Sequence, residues 1–523
     1  MLMSTALGRI LNTVQRQSFV ISLTAFFTGL LLIAMVSILV LITLRGGAYF
    51  WPSPIYNITY SQQHAEHSTR VLGQLYIESD TNNTVQIKYA DSERPFGAYL
   101  ALDKSTISSK DLAVDSAEIK FTDGRVMLAT PLNISTPNAP SVDASQYDII
   151  AQDVAQLTAE INRIRTGPLA QIHEALARLD ERNVEQDAPA REKLIKRFDK
   201  WQNTLISNEQ ERSKYLLNVG FLDGGKYAID MSDILDVHYV SRLTFFEKTT
   251  FILNGIAVFL TDTPKQANTS GGVFPALFGT ILMVFLMTII VTPFGVLAAV
   301  YLSEYAPNNA FTSVIRISVS NMAGVPSIVY GVFGLGFFVY TVGGNIDSLF
   351  FSDSLPAPTM GSPGVFWAAL TMAILTLPVV IVATEEGLRR VPEGLKAGSY
   401  ALGATKYETT VKTILPIASP AIMTGVILAI ARAAGEVAPL MLVGAVKFAP
   451  ALPIDGEFPY LHLDRQFMHL GVLIYDGAFH SQTDTKSASM MFAACLLLLM
   501  VVFVLNVLAV ILRTRLRKQY LEG

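Results

Sequence analysis

An α-helical, polytopic membrane bundle of six transmembrane spans with one inserted α+β outer domain is the fold class that three features of this sequence predict. Its mean hydropathy is +0.40, and only 16% of its 523 residues are charged, where a soluble domain carries about 25%. Six uncharged or nearly uncharged stretches recur at 19–44, 273–302, 317–342, 363–384, 418–446 and 487–512, each long enough to cross a bilayer core as a helix of roughly 20 residues.

The first stretch, Phe19 to Leu44, holds no charge, and no A-x-A-like cleavage site follows it. It therefore reads as a retained anchor. Arg9 and Arg16 precede it, and Arg513, Arg515, Arg517 and Lys518 follow the sixth stretch. Positive charge stays on the cytoplasmic side, so residues 1–18 and the C-terminal end are both expected there. Segment 385–416 carries Arg389, Arg390, Lys396, Lys406 and Lys412 and is expected inside, whereas 343–362 has no Lys or Arg and is expected outside.

Residues 45–250, between the first two spans, are polar and numerous enough to bury a core of their own. They are expected outside, in a bacterial periplasm beyond the inner membrane, with the five further spans in 251–523. From 55 to 145, short runs such as Val85-Gln86-Ile87-Lys88-Tyr89 and Ala117-Glu118-Ile119-Lys120-Phe121 lie between Asp, Asn, Gly and Ser, which predicts a β-rich unit. Ile150, Val154, Leu157, Ile161 and Ile164 then repeat at helical spacing. So do Leu169, Ile172, Leu176 and Leu179 beyond a break at Gly167-Pro168, and a third helix is expected over Ala190 to Leu217. Phe245 to Leu260 is apolar but holds Glu247 and Lys248, which suits an interfacial helix better than a seventh crossing.

Several function classes are excluded by composition. The formal net charge is −4 with no basic block, so nucleic acid is not an expected partner. The single cysteine, Cys495, can form no internal disulfide. Gly220-Phe-Leu-Asp-Gly-Gly225-Lys226-Tyr227 has the glycine and lysine spacing of a phosphate-binding Walker loop but ends in Tyr where Mg²⁺ needs Ser or Thr. No hydrolase or metal-ligand motif appears, so no catalytic residue, metal or cofactor is expected in this chain.

Two segments carry the functional signal. In 385–416, Pro392 and Gly403 divide short helices, and Leu388, Leu395, Tyr400 and Leu402 stand as apolar teeth among charges, a docking surface in outline. Glu385 and Glu386 end the fourth span, where Glu385 is a candidate gate or simply a solvated carboxylate. In the fifth span, Arg432-Ala-Ala-Gly435-Glu436-Val-Ala-Pro439-Leu puts two ionisable residues in hydrocarbon, about 20 Å from the cytoplasmic start at 1.5 Å per residue. Such residues normally face a bundle interior and mark a pathway. Arg432 presents a planar fork of donors that suits an oxyanion. Glu436 can hold that fork and weaken the grip on the anion, or the two can simply neutralise each other as an i,i+4 ion pair that fixes helix packing, and Gly435 can admit a neighbouring helix.

The docking segment resembles the coupling loop of ABC importer permeases, Glu-Ala-Ala, three residues, Gly, nine residues, Ile-x-Leu-Pro. Gly403, Leu415 and Pro416 match it, while Ala397, Gly398, Ser399 and Thr413 replace the family residues, with Leu395 beside them. The Arg432–Leu440 string resembles the R-A-x-G-E-T-A-P-L signature of the A-type permease of phosphate-specific ABC importers, PstA, with Val437 for Thr. Phe259–Pro264, Tyr301–Ala306, Gly324–Ile328 and Ala401–Thr405 agree with it.

The resemblance spans about 250–523 and implies a type I importer permease fold and a phosphate path. It also implies a homologous C-type permease, a dimer of ATP-binding subunits that holds ATP and Mg²⁺, and a periplasmic phosphate-binding protein as partners, all within membrane lipid. A permease for sulfate or molybdate is the nearest rival. A receptor sensing through the outer domain is the rival from another class, but no output domain follows the sixth span.

Overall fold

The computed structural model describes residues 13–61, 68–79, 83–181, 188–265, 270–354, 356–456, 458–480 and 485–522. Residues 1–12 of the expected cytoplasmic N-terminus, Arg9 among them, lie outside the described residues. Two compact units emerge: Trp51–Gly255, and a helical unit made from the chain on either side of it.

Helix α1 (Thr13–Ala48) has an apolar surface all round, with Phe26, Leu31, Ile33 and Leu44 exposed, as suits a helix in contact with lipid.

The Trp51–Gly255 unit begins with strands β1 (Ile55–Ser61), β2 (Ser68–Ser79), β3 (Thr84–Ala90), β4 (Ala98–Asp103) and β5 (Ile107–Leu112), which form an antiparallel sheet ordered β4-β3-β2-β1-β5. Strands β6 (Ala117–Phe121), β7 (Val126–Ser135) and β8 (Val142–Asp143) start a second sheet. Helices α2 (Tyr147–Ile164), α3 (Ala170–Glu181) and α4 (Pro189–Arg212) follow. The chain then returns as β9 (Leu216–Gly220), β10 (Lys226–Asp230) and β11 (Ile234–His238), giving the order β10-β9-β7-β6-β11 with β8 against β7. Alternating residues of both sheets, among them Ile55, Leu72, Ile119, Met127 and Leu217, bury one core with Ile150 and Val154 of α2.

Two local expectations change here. No break occurs at Gly167-Pro168, because a π-helical turn over Arg165–Leu169 passes the proline and continues into α3. Helix α4 stops at Arg212, and Leu216 and Leu217 pair in register with Ser135 and Ile134 of β7 instead of extending a helical stripe. The Walker-like string is the turn between β9 and β10, in which Phe221 N–H donates to Gly225 O at 3.0 Å and Gly224 N–H to Phe221 O at 3.1 Å.

Helix α5 (Phe245–Thr261), with Phe245 and Phe246 exposed, carries the division between the units. The helical unit continues with α6 (Phe274–Val300) and a π-helical turn at Tyr301–Tyr305, then α7 (Ala310–Met322) and α8 (Ser327–Phe333). A π-helical stretch, Gly334–Gly343, leads from α8 into α9 (Gly344–Phe350). Next come α10 (Val365–Arg389), α11 (Glu393–Ala401), α12 (Lys406–Thr409) and, after a π turn at Thr410–Ile414, α13 (Leu415–Gly435). Helices α14 (Ala438–Val443), α15 (Leu470–His480) and α16 (Thr485–Glu522) complete it.

Among the described residues six helical runs are long and apolar enough to cross a membrane: Gln17–Ala48, Phe274–Tyr305, Ser327–Phe350, Val365–Arg389, Lys406–Gly435 and Ser489–Arg515. Helix α10 is the central one. Its Trp367, Ala368, Ala369 and Met372 are buried, and it packs against α6 and α13. Two runs differ from their sequence-derived bounds by a helical turn or more at both ends, the third shifting to 327–350 and the fifth to 406–435. The third starts at Ser327, because the Gly324-Val325-Pro326 step separates α7 from α8, and the fifth ends at Gly435 rather than continuing to 446. Proline supplies no N–H and sterically opposes helix in the residue before it, which explains the first interruption directly.

Candidate functional site

Arg432 lies in the last turn of α13, where a cation suits the negative end of the helix dipole. Gly435 is the last helical residue, and Glu436 beyond it is extended (φ −82°, ψ 130°). Pro439, buried in the first turn of α14, cannot donate to the carbonyl four residues earlier, so the helix cannot run through. Arg432 Nε and Glu436 Oε1 are 3.6 Å apart, an ion pair too long for a hydrogen bond. The two side chains are 30% and 25% exposed. Among the described residues no hydrogen bond engages the guanidinium, so its donors are available to a ligand.

The second interruption meets this one. Tyr330 of α8 donates its hydroxyl to Met322 O at 2.8 Å, closing the gap between α7 and α8. Met322, Val325 and Val437, which flank the two gaps, pack on a core containing Tyr330, Ala433, Ala434 and Leu440. Gly331 lies so close to α14 that a Cβ there would be 2.7 Å from Pro439 Cα. Irregular backbone at membrane depth persists only where protein buries it or where it lines a cavity, and paired interrupted helices are a recurrent way to build such a site.

Gly435 departs from its expected role within this chain, because a Cβ there would meet nothing within 4 Å. The close helix approach is made by Gly331 instead. Sequence reasoning missed Tyr330 and Gly331, although both follow directly on the Gly324–Ile328 string that it singled out.

At the other end of these helices, segment 385–416 folds into α11, α12 and the start of α13. Gly403, at φ +87°, turns the chain after α11 where a residue with a Cβ would be strained. Thr405 and Glu408 form a reciprocal capping box that starts α12. Leu402 is 91% and Tyr407 69% exposed, with Leu395, Tyr400, Ala397 and Gly398 exposed beside them. Ser399 is half-buried and bonds Thr409 Oγ1 at 2.9 Å, while Leu415 and Pro416 are partly buried at the start of α13. Leu388 does not belong to this surface, since it is fully buried.

Glu385 is not a solvated carboxylate. Its Oε1 lies 2.8 Å from Arg316 Nε of α7 and 2.8 Å from Arg389 Nη2, and its side chain is 12% exposed. Arg316 Nη2 also donates to Leu302 O at 2.6 Å. Lys396 of α11 reaches Glu304 at the end of α6 at 2.8 Å, with side chains 13% and 9% exposed. Burial alone would pull the Lys396 ammonium down, but the hydrogen bond and charge of Glu304 hold it above the ordinary lysine range.

The interrupted helices with a charged residue at the gap and the docking segment below define a membrane transport permease, a class that the family comparison then specifies. Residues 291–518 match the family described as binding-protein-dependent transport system inner membrane component. The chain is 34% identical over 246 residues to phosphate transport system permease protein PstA 1 of Mycobacterium tuberculosis, covering 47% of this chain and 71% of that one. It is 31% identical over 255 residues to PstA of Yersinia pestis, covering 49% and 76%. The chain belongs to the PstA family of ABC importer permeases, which are transport subunits and not enzymes themselves. Its fold is that of a type I importer permease to which an extra β-rich unit has been added; the family match begins at residue 291, so Trp51–Gly255 lies outside it. Among solved structures, an inward-facing form of the MetNI methionine ABC transporter overlaps at a TM-score of 0.33 and 20% identity, covering 47% of this chain and 94% of that one, an overlap too loose to add to the family match.

Proposed function

We propose that this chain is the membrane permease subunit of an ATP-driven importer of inorganic phosphate, with Arg432 at the translocation path. The observation that carries the reading is the packing of Gly331, beyond one helix interruption, against Pro439, beyond the other, with an arginine at that second gap whose guanidinium makes no hydrogen bond among the described residues. The PstA names of the relatives support the substrate.

In this reading Arg432 attracts the oxyanion, and Glu436, loosely paired to it, competes for the guanidinium so that the anion can leave. The open space at Gly435 leaves room for a helix of a homologous C-type permease. Pro439 keeps the gap from closing into regular helix. The exposed face of Leu395, Tyr400 and Leu402 docks a dimer of ATP-binding subunits, which bind the ATP and Mg²⁺ this chain does not need. The chain crosses the inner membrane with both termini in the cytoplasm, as the distribution of Lys and Arg favours. Trp51–Gly255 then lies in the periplasm, where a phosphate-binding protein delivers the substrate.

The test is uptake of radiolabelled phosphate, with sulfate and molybdate as competitors, in cells lacking this chain and in cells complemented with wild type or Arg432→Ala. Uptake restored by wild type alone and indifferent to the competitors supports the reading. Suppression by sulfate or molybdate, or uptake independent of the chain, overturns the substrate.

A further inference from the structure

We propose that the Lys396–Glu304 ion pair, with Arg316, is the mechanical link that carries movement of helix α11 into the helices bordering Arg432. The inference rests on the reading of segment 385–416 as the surface that docks the ATP-binding subunits.

Helix α11 contains no buried residue, so hydrophobic packing does not anchor it. Its inward attachments are polar: Lys396 to Glu304 at 2.8 Å, and Ser399 to Thr409 at 2.9 Å. The first joins elements 92 residues apart in sequence and is nearly dry. It differs in kind from Glu386–Arg390, an exposed pair within one helix whose side chains are 64% and 74% exposed. An exposed pair is screened and weak. A desolvated one resists separation in every direction, because losing either partner leaves an uncompensated charge.

From Glu304 the connection continues. Glu304 stands in the π-helical turn that ends α6, and Leu302 of the same turn accepts a hydrogen bond from Arg316 of α7 at 2.6 Å. The same guanidinium stands 2.8 Å from Glu385 of the central helix α10, an ion-pair contact without the angle of a hydrogen bond. Helix α7 ends at Met322, whose carbonyl takes the hydroxyl of Tyr330 in α8. A push or pull on α11 thus reaches α6, α7, α10 and the α7–α8 gap through charged or hydrogen-bonded contacts, and rigid elements joined this way move as bodies.

The experiment uses the transporter reconstituted in proteoliposomes with both permeases, the ATP-binding subunits and the binding protein, and reads phosphate moved per ATP hydrolysed. Lys396→Met and Glu304→Gln are expected to retain the ATP-binding subunits and basal hydrolysis while transport per ATP falls about ten-fold, a typical coupling energy between sites. The exchanged pair Lys396→Glu with Glu304→Lys should regain most of the loss. An unchanged ratio in the single variants overturns the link while the docking reading stands. Failure of the exchanged pair also overturns it, including where the single variants do not assemble. Failure of the wild-type chain to retain the ATP-binding subunits overturns the docking reading, and the link with it.

Discussion

Arg432 and Glu436 face each other at 3.6 Å across the end of helix α13, close enough to attract and too far to share a hydrogen bond. A tight arginine–carboxylate fork closes to about 2.7–2.9 Å and engages two donors. The looser arrangement holds the guanidinium in place without saturating it, and it exists because the helix ends between the two residues.

Uptake should therefore depend on the shape of residue 432 as well as its charge. Arg432→Ala and Arg432→Glu are expected to abolish phosphate uptake, and Arg432→Lys, which keeps the charge but loses the planar fork, to lower it roughly ten-fold or more. Radiolabelled uptake normalised to the amount of chain in the membrane checks this. Wild-type uptake in Arg432→Ala would remove the residue from the path.

The contact between Gly331 and Pro439 should appear in stability. A Cβ at residue 331 would meet Pro439 Cα at 2.7 Å and Pro439 O at 3.2 Å, both backbone atoms that cannot swing aside. Gly331→Ala is expected to cost about 1–3 kcal/mol through overpacking. Gly435→Ala, whose Cβ would meet open space, should leave the isolated subunit at least as stable. Thermal unfolding of the two purified variants in detergent separates them.

On the docking face, stability and assembly should part company. Leu402 is 91% exposed, so Leu402→Asp is expected to leave the Tm of the isolated subunit within the range of ordinary surface changes. It should nonetheless abolish co-purification of the ATP-binding subunits. Gly403→Pro is a stronger perturbation, because φ is +87° there and the Gly403 N–H donates to Tyr400 O at 2.9 Å. Normal phosphate-stimulated ATPase activity in that variant would remove the segment from coupling.

A pH dependence follows from His469, which lies just before α15 and outside the six spans. Its ring is fully buried, Nδ1 accepts the N–H of Gly471 at 3.1 Å, and Nε2 finds no hydrogen-bond partner among the described residues. Burial pushes its pKa down to about 4 from about 6.5 in an unfolded chain. The folded state therefore prefers the neutral ring. Its contribution is fully present above pH 6.5 and is lost as pH falls toward 4, on the order of 3 kcal/mol across that window. The Tm of the purified chain should fall between pH 7 and 5, and His469→Leu should flatten that part of the profile. An identical slope in His469→Leu would assign the dependence to other groups.

The membrane class, the count of apolar spans and the β-rich insert were legible because they rest on local signals. Phe19 to Leu44 reads as a membrane helix from hydropathy alone, and Ile150, Val154, Ile161 and Ile164 mark the buried face of α2 from their spacing alone. Arg432 and Glu436 stood out because charge is rare in such stretches. Boundaries were less legible: Leu216 and Leu217 extend a helical pattern in sequence, yet the open edge of β7 claims them as a strand.

Local chemistry along the chain is enough to mark the apolar segments, the charges that interrupt them and the kinship with importer permeases. Packing alone brings Gly331, beyond the gap at Gly324–Pro326, against Pro439, beyond the gap at Glu436, joins Lys396 to Glu304 and holds Glu385 against Arg316. The reason is physical. Hydropathy and helical period act over one or two turns of chain, whereas ion pairing between residues 92 apart and the close approach of Gly331 to Pro439 exist only once packed helices exclude the alternatives.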